Sequence, residues 1–169
     1  FRTHLGDEEV RRSYSICSSP LENELRVAVK KAHLGKFSNY VHESLKEGDF
    51  IETMLPAGRF IVNTDPQNAK KYVGIAAGSG ITPILSILKT VLNTEPNSHF
   101  TLIYENKKRG SIIFKEAIEA LKNKFMNRFS VYHILSQEVT DAPILRGRID
   151  AEKLDYFLKH LIDSTSVDD

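Results

Sequence analysis

The glycine-rich stretch "GSGITP", residues 78–83, limits the possible folds more than any other part of the sequence. It follows "YVGIAAG", a continuous apolar run typical of a strand that is buried on both faces. It leads into "TPILSILKTVL", whose apolar residues predict a helix. A strand, a glycine turn and a helix in this order predict a unit of α/β architecture, in which helices cover a parallel sheet.

The second half of the chain continues this alternation. Strands are predicted for "HFTLIYEN" and "FSVYHIL", and helices for "FKEAIEALKNKF" and for the segment after residue 150. The β-α-β-α-β-α order predicts three parallel strands joined by right-handed crossovers. Each predicted helix carries an apolar stripe at helical spacing. The first stripe is Phe114, Ile118, Leu121 and Phe125, and the second is Leu154, Phe157, Leu158 and Leu161.

The first third of the chain has a different pattern. Short strands are predicted for residues 1–5, "RRSYSICS", "LRVAVKKA" and "GDFIETMLPAG", which together favour an antiparallel sheet or barrel. A short helix is predicted to begin with Ser38 or Asn39 as its N-cap and to end at Gly48. We therefore predict two domains, an antiparallel β-barrel over residues 1–66 and a parallel α/β domain over residues 67–169.

Both ends of the sequence suggest a piece of a longer protein. The chain opens on Phe1 inside a predicted strand, and it stops in a polar stretch just after a predicted helix. An alternating fold needs a further strand at that point. We therefore expect the barrel to be incomplete at its N-terminus and the α/β domain to be incomplete at its C-terminus.

Composition narrows the function classes. With 23 Lys and Arg against 22 Asp and Glu, the net charge of +1 gives no reason to expect nucleic acid or a membrane as a partner. No apolar run approaches the roughly 20 residues that span a bilayer. Cys17 is the single cysteine, which excludes a disulfide framework and an iron–sulfur cluster held by four thiolates of this chain. We predict a cytoplasmic protein, a buried Cys17 and no metal site.

Two stretches are candidate anion sites. In "GSGITP" the two glycines permit positive φ and close approach of a ligand, Pro83 suits a first helical turn, and free helix amides attract pyrophosphate. The alternative is a tight turn that binds nothing. The stretch "GKFSNY", residues 35–40, is either a second anion site or a simple helix N-cap. Taken alone, its residues favour the N-cap.

The alternation in "RRSYSICSSP" indicates a ligand that is both anionic and flat. On a strand, Arg12 and Tyr14 share one face, so a guanidinium and a phenol lie side by side. Three basic residues, Lys107, Lys108 and Arg109, follow the second parallel strand. They are either a solvated surface or a place where a ribose 2′-phosphate is bound.

Taken in order, "RSYS", "GKFS" and "AAGSGITP" resemble the motifs of the ferredoxin–NADP⁺ reductase superfamily. Over most of its length the chain also resembles, less specifically, the reductase subunits of phenylacetyl-CoA epoxidase (oxygenase) complexes of phenylacetic acid degradation. The stretches that carry this resemblance include "YENKKRGSIIFKEAIEAL" and "RGRIDAEKL". The resemblance implies FAD and NAD(P)H as cofactors, with hydride passing from nicotinamide C4 to flavin N5. Electrons then leave the flavin singly, and the cofactors carry the chemistry.

The resemblance also implies site residues. Arg12 would pair with the FAD pyrophosphate, Tyr14 would lie against the isoalloxazine ring, and Ser15 would bond near N5. Thr82 would lie close to both nicotinamide and flavin, so Tyr14, Ser15 and Thr82 are the implied catalytic residues. The other FAD-binding residues implied are Ser13, Val29, Lys30, Gly35, Phe37, Ser38 and Asn39. Those implied for NAD(P)H are Gly78, Ser79, Gly80, Ile81, Thr82, Pro83, Tyr104, Asn106, Lys107 and Ser136.

Coenzyme preference and the electron acceptor stay open. Many NADPH-preferring relatives have Arg beside the serine at the 2′-phosphate, where this chain has Gln137, although Lys107, Arg109 or Arg148 would supply a charge. The implied partner is an oxygenase component or a ferredoxin-type acceptor, with a [2Fe–2S] cluster in a C-terminal domain outside this chain. The alternatives are a reductase for free ferredoxin, flavodoxin or oxygen, or a non-catalytic FAD-binding electron-transfer subunit.

Overall fold

The computed structural model describes residues 1–160. Its first part holds strands β1 and β2 and helix α1, and its second part alternates strands β3 to β5 with helices α2 to α4. The bounds are β1 Arg2–Leu5, β2 Glu8–Arg11, α1 Lys36–Glu43, β3 Lys71–Ala77, α2 Ile81–Thr94, β4 His99–Asn106, α3 Lys115–Lys124, β5 Phe129–Leu135 and α4 Ala151–His160. Short 3₁₀ turns occur at Pro20–Glu22, Gly78–Gly80, Arg109–Ser111 and Pro143–Leu145.

The first part is a small antiparallel sheet, as predicted. β1 and β2 form a hairpin that turns at Gly6, whose φ is +63°. The pairing extends one residue beyond the strands, because the Phe1 amino group donates to the Arg12 carbonyl at 2.9 Å and the Arg12 amide donates back at 3.0 Å. The hairpin thus brings the first residue of the chain against the start of the "RSYS" motif.

The other strands predicted in this part are wrong for the described residues. Residues 11–18, 25–32 and 48–58 contribute the last residue of β2 and isolated bridges, such as the one that joins Ile16 to Val27. Extended backbone becomes sheet only when a neighbouring strand accepts its amides and donates to its carbonyls. These segments make only isolated bridges with their neighbours, so they do not form a ladder among the described residues.

Helix α1 also differs from its prediction. Gly35 is the N-cap, and Ser38 lies inside the first turn; the helix ends at Glu43 and not at Gly48. The Ser38 hydroxyl accepts from the Ala32 amide and donates to the Gly35 carbonyl, both at 3.1 Å. Because this bond folds the preceding loop onto the first turn, the helix begins three residues earlier than a serine N-cap would allow.

The second part confirms the predicted parallel sheet, with strand order β3-β4-β5. α2 and α3 cover one face, where Leu102 and Ile118 are fully buried, and Phe157 of α4 packs on the other face. The predicted stripe of α3 lies on the core, with Ile118 at its centre. In the predicted stripe of α4, Leu154, Phe157 and Leu158 pack on the sheet, whereas Leu161 lies outside the described residues.

A buried carboxylate ties the connecting segment to α2. Glu95 is fully buried at the C-cap of α2, and its carboxylate accepts bonds from the Asp65 amide, Asn68, the Tyr72 hydroxyl and the Ser98 hydroxyl at 2.6–3.1 Å. Burial alone would raise the pKa of Glu95, but these donors outweigh it and hold the pKa below its ordinary value. The boundary predicted at residue 66 falls within this tethered segment.

Candidate functional site

The "RSYS" segment leaves the end of β2 with a cation and an aromatic ring close together. The Arg12 side chain is exposed, and its guanidinium donates to the neighbouring Arg11 carbonyl at 2.6 Å. The Tyr14 ring is half-buried, and burial raises the pKa of its hydroxyl. Ser13 and Ser15 are both exposed. The segment therefore offers a charged donor beside a flat apolar surface.

Helix α1 packs against this segment through Phe37. The Phe37 ring is buried, and its centroid lies 5.6 Å from that of Tyr14. Gly35 allows the tight start of the helix, because a Cβ there would lie 2.5 Å from the Ser38 hydroxyl. Asn39 carries a buried Oδ1 without a hydrogen-bond partner in the part of the chain that the structure describes. We call this arrangement, residues 12–15 with 35–39, the first cradle.

Three residues that the resemblance implies for FAD, Val29 and Lys30 through backbone atoms and Ser38, differ in which groups they leave open to a ligand. The Ser38 hydroxyl already bonds to the Ala32 amide and the Gly35 carbonyl. At the helix start, Ser38 therefore has only its backbone amide to offer to a ligand. Val29 uses its carbonyl to accept from His42 at 2.8 Å. Lys30 is exposed.

The "GSGITP" loop forms the second cradle, residues 78–83. Gly78 has a φ of +50°, a left-handed conformation that favours glycine, whereas Gly80 has an ordinary helical φ of −62°, contrary to the expectation for it. A Cβ at either glycine would meet no atom within 4 Å, so their outer side is open. Because α2 starts here, the loop lies at the positive end of a helix dipole.

Two side-chain hydroxyls donate hydrogen bonds to backbone carbonyls of the 78–83 loop. Tyr104 donates to the Gly78 carbonyl at 2.9 Å, and Thr82 donates to the Ser79 carbonyl at 3.1 Å. Tyr104 is fully buried and its hydroxyl supports the loop, while its implied part in binding NAD(P)H stays a prediction. The Ile81 side chain lies in the core and its amide donates to the carbonyls of residues 78 and 79, so the implied role of Ile81 in NAD(P)H binding stays a prediction. Pro83 is the third residue of α2, within the first turn as expected.

The carboxyl ends of β4 and β5 form one wall beside this loop. The Ser136 amide donates to the Asn106 carbonyl at 2.9 Å, and the Gln137 amide donates to the Lys107 carbonyl at 2.8 Å. Asn106 is 5% exposed, and its Nδ2 makes no hydrogen bond of good geometry among residues 1–160, although its side chain lies near the Tyr104 hydroxyl and opposes the effect of burial on the pKa of that phenol. A buried donor without an acceptor is costly, which makes Asn106 a ready contact for an oxygen-rich ligand.

Sequence reasoning missed Glu138 in this wall. Its carboxylate accepts from the Arg109 backbone amide at 2.8 Å and lies 4.0 Å from the Arg109 Nε. The acid therefore offsets part of the basic charge predicted for residues 107–109. No motif signalled it, because the contact depends on how the loops after β4 and β5 meet.

A second missed feature joins the two parts of the chain. The 3₁₀ turn Pro20–Glu22 is closed by a capping box between Ser19 and Glu22, and both residues contact α2. The Ser-x-x-Glu spacing in "SPLE" is a capping-box signal from which the turn could have been predicted. Nothing in the sequence indicated what the turn would pack on.

Cys17 is buried as expected; its thiol donates to the Arg26 carbonyl at 3.2 Å, and burial raises the pKa of the thiol. Within residues 1–160, no three His, Cys, Asp or Glu side chains lie together as a metal site would need. None of the helices in that range has the length and apolar character needed to cross a bilayer.

Two protein families match this sequence in chain order. The oxidoreductase FAD-binding domain matches residues 1–61, and the oxidoreductase NAD-binding domain matches residues 75–167. The chain belongs to the FAD- and NAD-binding oxidoreductases of ferredoxin reductase type. The resemblance drawn from the motifs is thereby confirmed, and so are the two cofactors at the level of these domains.

Two individual proteins are similar to this chain over most of its length. The chain is 48% identical over 147 residues to a subunit of the 1,2-phenylacetyl-CoA epoxidase of Escherichia coli, covering 87% of this chain and 41% of that protein. It is 39% identical over 127 residues to the ferredoxin reductase component of 3-ketosteroid-9-alpha-monooxygenase of Mycobacterium tuberculosis, covering 75% of this chain and 34% of that protein. This chain thus spans about two fifths or less of these relatives.

A solved structure supports the fold. The flavohem-like FAD/NAD binding domain of nitric oxide dioxygenase from Vibrio cholerae superposes with a TM-score of 0.72 at 23% identity, covering 96% of this chain and 75% of that one. The residues present in the chain also suit the cofactors. The exposed guanidinium, the aromatic surface and the unpartnered Asn39 oxygen fit FAD, and the open glycine loop with the unpartnered Asn106 amide fits a dinucleotide.

Proposed function

We propose that the protein containing this chain oxidises NAD(P)H through FAD and passes electrons singly to an iron–sulfur centre that serves an oxygenase of the phenylacetyl-CoA epoxidase type. One observation carries the proposal. A single chain holds two open cradles, one with an exposed cation beside an aromatic ring and one with glycine amides at a helix start. The 48% identity to a phenylacetyl-CoA epoxidase component supports the choice of partner.

In the first cradle, we assign FAD to residues 12–15 and 35–39. A guanidinium such as that of Arg12 binds a pyrophosphate with paired, charge-assisted bonds. The first amides of α1 add donors without charge, because a helix start leaves its first amides unpaired. The half-buried Tyr14 ring is backed by Phe37, so it presents a fixed face on which a flavin ring stacks.

In the second cradle, we assign NAD(P)H to residues 78–83 with Asn106, Lys107 and Ser136. The helix dipole and the open glycine backbone suit a pyrophosphate. Tyr104 acts here as a positioning residue, because its hydroxyl fixes the Gly78 carbonyl from the core side. Burial raises the pKa of this phenol, so it stays protonated and keeps donating throughout the physiological range.

When both are bound, NAD(P)H supplies a hydride and FAD converts a two-electron transfer into single electrons. The chain's own residues bind, orient and exclude water. We assign Thr82, the second residue of α2, to the NAD(P)H side of the reaction, and Tyr14 and Ser15 to the FAD side. Orientation of this kind lowers the barrier by fixing reactants close to the geometry of reaction.

A cytoplasmic location agrees with the single cysteine of the chain.

The proposal is tested with the FAD-loaded protein expressed from its complete reading frame. Anaerobic addition of NADH or NADPH is expected to bleach the flavin absorption. Flavin that stays oxidised with both would rule out the reductase function and leave an FAD-binding electron-transfer subunit. Reduction of a purified epoxidase-type oxygenase component, compared with free ferredoxin and oxygen, then decides the acceptor.

A further inference from the structure

A set of polar contacts between residues 18–22 and α2 joins the two parts of the chain. The Ser86 hydroxyl donates to the Ser18 carbonyl at 2.7 Å, and the hydroxyls of Ser19 and Thr90 lie 2.9 Å apart. Ser18 and Ser19 are each only 2% exposed, so these bonds are shielded from water. We call this set, Ser18, Ser19 and Glu22 with Ser86, Lys89 and Thr90, the clasp.

The hydrogen-bond directions in the clasp are fixed by its neighbours. The Thr90 hydroxyl donates its one proton to the Ser86 carbonyl at 2.7 Å, so Ser19 must be the donor to Thr90. The Ser19 hydroxyl in turn accepts from the Leu21 amide at 3.2 Å, which caps the 3₁₀ turn. The hydroxyls of Ser19 and Thr90 therefore form a continuous path from the turn to the helix, and removing either hydroxyl breaks it.

A charged pair completes the clasp. Lys89 donates to both carboxylate oxygens of Glu22, at 2.8 and 3.0 Å, and its side chain is 16% exposed. Glu22 also accepts from the Ser19 amide at 2.7 Å. The same carboxylate thus closes the capping box and holds the helix.

The clasp is close in sequence to both cradles. Ser18 is three residues after Ser15, and Ser86 is one helical turn after Thr82, about 6 Å along the helix axis at 1.5 Å per residue. The polar side chains of Thr82, Ser86 and Thr90 are spaced four residues apart, so they fall on one stripe of α2. The opposite stripe, including Leu85 and Leu88, is buried on the sheet.

We propose that the clasp sets the position of the Thr82 end of α2 against Tyr14 and Ser15, so that Ser19, Ser86 and Thr90 are positioning residues for hydride transfer. This inference rests on the proposed function. Its physical basis is that a helix is rigid along a single turn, so a fixed point at residue 86 fixes residue 82. A shift of about 1 Å between reacting groups costs on the order of a hundredfold in rate.

The test compares Ser86→Ala with Ser86→Thr in the FAD-loaded protein from the complete reading frame. Stopped-flow reduction by the preferred coenzyme gives the limiting rate and the coenzyme Kd separately. We expect Ser86→Ala to lower the limiting rate by about tenfold or more. The FAD and coenzyme Kd values should stay within about twofold, because neither cradle is altered. Ser86→Thr keeps the hydroxyl and should restore most of the rate.

A primary deuterium isotope effect from coenzyme labelled at nicotinamide C4 should increase in Ser86→Ala, since misplacement slows the transfer itself. Thr94→Ala, one turn beyond Thr90 on the same helix, is the matched control and should keep the wild-type rate. A wild-type rate in Ser86→Ala overturns the inference, and so does an equal loss in Thr94→Ala or a loss explained by weaker FAD binding. Failure of the wild-type flavin to bleach overturns the proposed function and this inference together.

Discussion

At the scale of single residues, ligand binding depends on which side chains are free to meet a ligand. Within residues 1–160, Arg12 and the Asn106 amide are free in this sense, because Arg12 bonds only a backbone carbonyl and the amide has no acceptor. Tyr104, Thr82 and Ser38 are not free in this sense, because their hydroxyls already donate to backbone carbonyls. A motif states which residue types are present, but burial and existing bonds decide which of them reach a ligand.

Arg12 gives the sharpest residue-scale prediction. We expect Arg12→Ala to weaken FAD binding by about 1.5–3 kcal/mol, the range for hydrogen bonds to charged groups. Arg12→Lys should recover only part of the loss, because an ammonium lacks the planar fork. Fluorescence titration of the apoprotein with FAD measures both. Arg11→Ala is the control, since Arg11 pairs with Glu9 on the hairpin surface. An unchanged FAD affinity in Arg12→Ala would contradict the assignment.

Coenzyme preference is also decided by few residues. Gln137 stands beside Ser136, and Glu138 offsets the charge of Arg109. We expect Gln137→Arg to raise kcat/KM for NADPH relative to NADH by about tenfold, the equivalent of one new charge-assisted bond of about 1.4 kcal/mol. Steady-state kinetics with both coenzymes measure the ratio, and Gln137→Ala separates added charge from lost amide. A ratio that does not rise would place the 2′-phosphate elsewhere.

At the scale of elements, the sequence predicted the second part of the chain strand by strand, whereas in the first part it predicted the antiparallel pairing and a short helix but misplaced the other strands. β3 to β5 and their helices carry apolar runs and stripes that pack within residues 71–160, so local pattern and tertiary packing agree. Strands in the first part depend on partners distant in sequence, and exposed Phe50 and Leu55 show how little local pattern decides there. The start of α1 was missed because Ser38 bonds backward to Ala32 and not forward as a cap.

The Glu95 network makes an element-scale prediction about stability. Its pKa is lower in the folded chain than the ordinary value of about 4.3, so its contribution is full above that pH and is lost as the pH falls through the folded pKa. We expect Glu95→Gln to lower the free energy of unfolding at pH 7 by about 1.5–3 kcal/mol, and the deficit should shrink below about pH 4.

Urea unfolding at pH 7 and at acid pH measures both values for Glu95→Gln. Glu116→Gln, an exposed position on α3, is the matched control and should change little. A deficit that is the same at both pH values would show that the carboxylate charge contributes nothing, and that packing alone accounts for the loss.

At the scale of the whole molecule, the arrangement of the two parts is what motifs do not show. The order "RSYS", "GKFS" and "AAGSGITP" predicted both kinds of cradle, and the matching families confirm that class. The contacts that hold one part against the other, between Ser18–Glu22 and α2, come from ordinary serine, threonine and lysine residues. Such residues carry no distinctive pattern, so their partners emerge only from the fold.

The proposed function requires that one chain bind FAD in the first cradle and present NAD(P)H from the second. A crystal structure of the protein with FAD and an oxidised nicotinamide coenzyme would show both positions at once. We expect the Arg12 guanidinium on the FAD pyrophosphate, the Tyr14 ring against the isoalloxazine, and the coenzyme pyrophosphate at residues 78–80. Density for FAD away from Arg12 and Tyr14, or for the coenzyme away from the glycine loop, would refute the assignment of the two cradles.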